Sequence, residues 1–180
     1  MPVIDIIVAV CVVLISLASL WVAVHSSEVQ ERTLAASVWP YLEVGSSDIT
    51  DSGTRIIAYT VKNEGVGPAL LKWFTMSYDG REYGSPRDVL KVCCNFTTNV
   101  ITSTIHNRVI AAREAIDFVK VLPKNMTSAQ YHRLDQAEAR ITMRACYCSV
   151  LNECWMLEPH RSQPVAIRDC PAAPVARDVF

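Results

Sequence analysis

A mainly β fold is predicted for this chain: an N-terminal transmembrane helix and stalk, then an immunoglobulin-like β-sandwich with short helical insertions. Three observations predict it. Residues 6–24, IIVAVCVVLISLASLWVAV, carry no charge, and at about 1.5 Å per residue they make a helix of roughly 28 Å, close to the hydrocarbon thickness of a bilayer. The remainder is built of short β-branched and aromatic segments punctuated by Gly, Pro, Asn and Asp, without the strand–helix alternation of a doubly wound sheet. The length, 180 residues, is enough for one ordinary domain after such a helix. Charge is nearly balanced, 17 Lys+Arg against 18 Asp+Glu, which excludes the basic footprint of a nucleic-acid binder.

The expected organisation is a short flank (1–5), a transmembrane helix (6–25), a helical stalk (26–39), a β-sandwich (40–158) and a Pro-rich irregular tail packed on the domain (159–180). Within the span only Ser16 and Ser19 are polar, and Trp21 stands near its far end, where an amphipathic ring suits the headgroup layer. A retained anchor fits better than a cleaved signal: the apolar run is long, no Lys or Arg precedes it, and no small-x-small site follows. Flanking charge is silent on orientation, with Asp5 on one side and His25, Glu28, Glu31 and Arg32 on the other. Glu28 and Arg32, four apart, support continued helix as far as Val38, and Pro40 ends it.

Beyond the stalk, strands are expected at 41–44, 55–63, 69–78, 115–122, 141–150 and 154–157. Asp51-Ser-Gly, Asp79-Gly80 and Pro123-Lys-Asn125 supply turns. Ser85-Pro-Arg-Asp88 starts a helix, with a hydroxyl cap, proline in the first turn and a carboxylate three residues on. A second short helix is expected from a Ser128 cap to about Ala139. In 115–122 the alternation slips at Lys120, the mark of a bulge or edge. Weaker Thr, Ile and Val patterning over 95–110 leaves strand edges open there.

Cysteines decide what charge does not. Cys11 lies in the span as a small apolar filler. Cys93, Cys94, Cys146, Cys148, Cys154 and Cys170 form an even set, the pattern of a disulfide framework in an oxidising compartment. Alternation puts Ile141, Met143, Ala145 and Tyr147 on one face of a strand, and Cys146 and Cys148 on the other. The segment CSVLNEC turns about Leu151-Asn152, so Cys148–Cys154 is the expected pair. Cys146 is then expected to bond Cys93 or Cys94, with Cys170 pinning the tail to what remains. A bond between adjacent Cys93 and Cys94 is disfavoured, because disulfide Cα separations ordinarily exceed about 4.4 Å. The competing reading is zinc held by Cys146, Cys148 and Cys154 with His160 or Cys170, but C-x-C departs from the usual knuckle spacing. No metal and no cofactor is assigned.

The most distinctive local motif is Asn63-Glu-Gly-Val-Gly-Pro-Ala69. Gly65 and Gly67 permit positive φ or close chain approach, Pro68 holds Gly67 extended, and the Asn63 side chain can bond back to the turn. Without G-K-[ST] or a following helix it is a structural turn and no phosphate loop. His25, His106, His132 and His160 match no ligand or nucleophile spacing, and Arg108, Arg113 and Glu114 read as a solvated run. Asn95-Phe-Thr97 and Asn125-Met-Thr127 match the glycan acceptor pattern, relevant in a eukaryotic host alone.

Together the N-x-G-x-G-P-A turn, Trp39-Pro40 after an N-terminal span, and the block Tyr147-Cys-Ser-Val-Leu-Asn-Glu-Cys-Trp155 resemble small single-span bacterial membrane proteins carrying the same turn and Y-C-S-x-x-x-x-C-W block. The resemblance implies a bacterial inner-membrane anchor and a periplasmic β domain, and lends no catalytic residue. The expected function is a protein-interaction or structural module of the cell envelope, with the bilayer (through 6–25) and an envelope protein as partners. The alternative is an envelope hydrolase or small-ligand receptor whose site is assembled only by folding.

Overall fold

The apolar run and the polar stretch after it form one uninterrupted helix. The computed structural model describes residues 2–51, 54–96, 100–122 and 126–174. In it α1 runs Pro2–Ser37, and the chain divides into two units, Met1–Ser37 and Val38–Phe180. With a mean hydropathy of 2.9 in its most apolar window and none of that window buried, α1 is long and apolar enough to cross a membrane. Its 36 residues extend about 54 Å, well beyond the roughly 30 Å of a hydrocarbon core. The hydroxyls of Ser16 and Ser19 donate to the carbonyls of Val12 and Ile15, each at 2.8 Å, so neither is left unbonded on the apolar surface. Past the apolar stretch, Arg32 pairs with Glu28 at 2.7 Å. The helix stops at Ser37, one residue short of its expected end, and Trp39-Pro40 belong to the second unit.

The second unit contains β1 (Leu42–Asp51), β2 (Thr54–Asn63), β3 (Ala69–Tyr78), β4 (Arg81–Tyr83), α2 (Pro86–Cys94), β5 (Val100–Thr102), β6 (Arg108–Ile110), β7 (Ala115–Val121), α3 (Ser128–Ala137), β8 (Ile141–Cys148), β9 (Cys154–Leu157) and β10 (Val165–Ile167). They form two antiparallel sheets. One has the order β1-β2-β7-β5; the other is β10-β9-β8-β3-β4, with β6 on the first residues of β3. Inward side chains of both sheets share one apolar core: Tyr59, Val61 and Phe118 from the first, Leu71, Phe74, Ala145 and Tyr147 from the second. The Phe74 and Phe118 rings meet edge to face at 4.8 Å, the arrangement their quadrupoles favour. Leu90 of α2 and Leu134 of α3 enter the same core.

Several elements differ from their sequence expectations for identifiable reasons. The strand expected at 41–44 continues to Asp51, because it pairs along the whole of β2. The phase slip expected at Lys120 falls earlier: Tyr59 pairs with Val119 and Thr60 with Asp117, leaving Phe118 as the extra residue. That bulge lets Phe118 and Val119, neighbours in sequence, both be fully buried. Ser85 caps α2 as expected, and Asn95 closes it at φ 59°. Thr127, not Ser128, caps α3, through a reciprocal capping box with Gln130, and α3 ends at Ala137 in a 3-10 turn over Glu138–Arg140. β8 stops at Cys148 where 150 was expected, since Ser149 begins a turn: its hydroxyl accepts from the amides of Leu151 and Glu153. Asp79-Gly80 joins β3 to β4, both at positive φ. The tail is not wholly irregular: β10 pairs with β9, Val165 opposite Met156 and Ile167 opposite Cys154. The turn residues 52–53 and 123–125, and with them the second glycan-type Asn, lie outside the described residues.

Candidate functional site

The 63–69 turn clasps the segment by which the chain enters the domain. Asn63 is fully buried and uses both ends of its amide. Oδ1 accepts from the amides of Tyr41 (3.2 Å) and Gly65 (3.0 Å), while Nδ2 donates to the carbonyls of Gly67 (2.8 Å) and Ile110 (3.0 Å). The amides of Val66 and Gly67 both donate to the Trp39 carbonyl, at 3.0 and 3.1 Å, and that of Glu64 to the Tyr41 carbonyl at 2.7 Å. Close approach, rather than positive φ, is what the two glycines provide. A Cβ on Gly65 would lie 2.4 Å from the Tyr41 nitrogen, and one on Gly67 2.0 Å from the Val38 oxygen. Asn63, Gly65 and Gly67 thus form one structural knot, with Pro68 between it and β3: a tight turn, closed by a partner at 38–41 that the motif does not reveal.

Strand register gathers several exposed apolar side chains at this same end. Leu70, at the start of β3, pairs with Val109 on one side and with Cys148 on the other. The β2–β3 turn (Val66), the β6 strand (Val109), the β8–β9 turn (Val150, Leu151) and the entry segment (Trp39) therefore share one pole, and all five side chains are exposed. Tyr147 braces the pole from beneath: its buried phenol accepts from the Leu42 amide at 3.3 Å, and burial pushes its pKa up to about 12. Arg108 and Glu114, expected as solvated, pair at 3.3 Å, and Glu114 also accepts from the Ala111 amide at 2.8 Å.

On the outer face of the second sheet lie four sulfurs. Cys148 and Cys154 sit opposite each other across the β8–β9 ladder with their sulfurs 2.10 Å apart, the pairing the hairpin predicts. Cys146 pairs with Cys170 (1.96 Å), not with Cys93 or Cys94. The reason is the tail, which runs over this face and forms a second small core of Trp73, Cys146 and Met156 against Ile167, Cys170 and Ala173. The Trp73 indole donates to the Pro171 carbonyl at 2.8 Å. The cysteine face, polar by alternation alone, is thus buried. Cys148, Cys154 and Cys170 are the one grouping of three or more metal-ligand side chains among the described residues, and His160 does not belong to it. Zinc needs thiolates, whereas these sulfurs stand at disulfide distance, so the donor set as paired does not fit a metal.

Cys93 and Cys94 are joined to each other, sulfurs at 1.98 Å and Cα atoms at 3.7 Å, against expectation. The ordinary Cα window describes links between separate chain segments, whereas neighbours are held near 3.8 Å by the peptide itself. The pair occupies the last turn of α2, with Cys94 fully buried and Cys93 partly exposed. Cys93 lines an open cleft of about 440 Å³ between α2 and α3, together with Tyr78, Lys91, Asn95, Arg133, Gln136 and Arg140. On the other side of α3 a cavity of about 20 Å³ is lined by Ser46, Ser47, Tyr59, Asp135 and Glu138. Basic and acidic residues of α3 and the turn after it therefore face different neighbours. Among the described residues, neither cleft is lined by a histidine. The α2–α3 cleft is not legible in the sequence, since its two walls are separated along the chain by β5, β6 and β7. The one local signal for it is the unusual Cys93-Cys94 pair ending a capped helix.

No protein-family model matches the chain, and neither a curated protein nor a solved structure matches it.

Proposed function

We propose that the chain is a single-pass, membrane-anchored extracytoplasmic β domain that serves as a protein-interaction or structural module of the cell envelope, held in a bacterial inner membrane with the domain in the periplasm. The observation that carries this reading is the segregation of the cysteines. All six outside the apolar helix are paired by distance, and the one free cysteine, Cys11, lies inside it. Paired cysteines belong to oxidising compartments and an unpaired one is safe in lipid.

The domain is read as immunoglobulin-like because of strand order. With β1, β2, β3, β4, β5, β7, β8 and β9 taken as A, B, C, C′, D, E, F and G, the sheets read A-B-E-D and G-F-C-C′. In that scheme the B–C and F–G loops lie at one end, the end that binds partners in variable domains. Here those loops carry Val66, Val150 and Leu151, beside Trp39 and Val109, exposed apolar side chains of the kind that mark contact surfaces. The second reading, a small-ligand receptor, is favoured by the cleft between α2 and α3.

Alkylation of native membranes without reductant tests the compartment. The six cysteines outside the apolar helix are expected to stay unlabelled, and quantitative labelling of all six would refute the reading.

A further inference from the structure

The three disulfides differ in what surrounds them. Cys146, Cys148 and Cys154 are each 5 % exposed or less and lie beneath the tail, whereas Cys170, on the tail itself, is partly exposed. Cys93 opens onto the α2–α3 cleft. The bonds also differ in what they hold. Cys146–Cys170 and Cys148–Cys154 are separated by 24 and 6 residues and constrain the unfolded chain accordingly. Cys93–Cys94, separated by one, closes no loop beyond its own small ring, so the fold secures it least. Access and weak retention mark the labile, exchangeable class of disulfide.

The cleft also selects what reaches that sulfur. Lys91 comes from α2, Arg133 from α3 and Arg140 from the turn that follows. Arg140 is engaged by Asp79 and lies over the Tyr78 ring. No acidic residue lines the cleft among the described residues. The α3 acids Asp135 and Glu138 line the cavity on the other side. With Arg140 already paired to Asp79, Lys91 and Arg133 are the cations that attract an anionic reagent to the sulfur and stabilise thiolate at the reacting centre.

We propose that the α2–α3 cleft is a thiol–disulfide exchange site for a negatively charged thiol. Lys91 and Arg133 attract and orient the thiol's anionic group. Its thiolate attacks Cys93 Sγ, forming a mixed disulfide and breaking the Cys93–Cys94 bond. The displaced electron pair goes to Cys94 Sγ, which takes a proton in its buried setting. A second thiolate then attacks the entering sulfur of the mixed disulfide, releasing Cys93 as thiolate. Two thiols are oxidised to their own disulfide and one protein disulfide is reduced to a dithiol. This inference goes beyond the interaction reading, and rests on it only for the disulfide having formed.

The test uses the full chain, purified in detergent under air. It is treated at low salt with mercaptoethanesulfonate (anionic) or cysteamine (cationic) at matched thiolate concentration, then alkylated and peptide-mapped. Cys93 and Cys94 are expected to be labelled before the other four. The anionic thiol should react about tenfold faster than the cationic one, the gap closing at about 1 M salt as the Debye length falls to a few Å. The double variant K91E/R133E, both sites exposed, should invert the preference while melting like the parent chain. Equal rates for the two thiols, or earlier opening of either other disulfide, would overturn the proposal. So would labelling of Cys93 and Cys94 without any reductant: with the other four protected, the exchange site alone fails, and with all six labelled the compartment reading falls too.

Discussion

Replacing Gly67 with alanine is expected to destabilise the β domain by about 3 kcal/mol or more, enough to unfold much of it at growth temperature. The added methyl would stand 2.0 Å from the Val38 oxygen and 2.1 Å from its carbonyl carbon. Those are backbone atoms, so no side-chain rotation relieves the overlap. Either the entry segment or the turn must move. Moving the turn breaks the bonds from the Val66 and Gly67 amides to Trp39 and disturbs the Asn63 amide, whose four partners are buried or partly buried backbone groups. Each such group left unpaired costs about 1–3 kcal/mol. Gly45→Ala is the control, because a methyl there would meet nothing within 4 Å. Thermal melting in detergent should separate the two variants widely. Both should still reach the membrane fraction, since α1 forms a unit of its own. Parent-like melting of Gly67→Ala would show that the clasp contributes little.

The second large effect is expected from removing the Cys146–Cys170 bond by a double change to alanine. Its separation of 24 residues corresponds to about 3–4 kcal/mol of loop-closure stabilisation, against about 2 kcal/mol for the hairpin pair Cys148–Cys154. The tail is held otherwise by the three-residue β10 ladder, the Trp73–Pro171 bond and the Tyr41 hydroxyl on the Ser162 carbonyl, at 3.2 Å. Freed, it should expose Trp73, now 3 % accessible, shifting tryptophan emission to the red and opening residues 159–170 to protease. Removing Cys148 and Cys154 in the same way should leave both readouts nearly unchanged. An unaltered emission spectrum after loss of Cys146–Cys170 would mean that the small core holds the tail without the covalent bond.

Local signals carry much of the architecture. The β3 run, the Ser85 cap and the CSVLNEC hairpin are each specified by neighbours in sequence, and the structure places them where periodicity and turn chemistry do. Features made by distant segments do not show. Alternation correctly puts Cys146 and Cys148 on the face opposite Tyr147, but nothing in 141–148 says that residues 165–173 return to cover that face, so the Cys170 pairing is not readable. The clasp is half legible for the same reason: Asn63, Gly65 and Gly67 announce a tight turn, while the backbone they accommodate, Val38 to Tyr41, lies more than twenty residues earlier. The vicinal pair defies expectation because the usual Cα spacing applies to links between segments and not to neighbours. β1 outruns its sequence signal because its polar residues, Gly45-Ser-Ser-Asp48, are held by the β2 ladder and not by any propensity of their own.

The proposed topology holds α1 in the bilayer and the cysteine-bearing domain on the outer side of the inner membrane. Protease added to intact spheroplasts expressing the full chain tests it most directly, with an epitope after Phe180 as the reporter. The epitope is expected to be lost without lysis, after reductant and mild heat loosen the domain, while a cytoplasmic marker survives. An epitope that resists under those conditions and is digested only once the membrane is broken would contradict that topology.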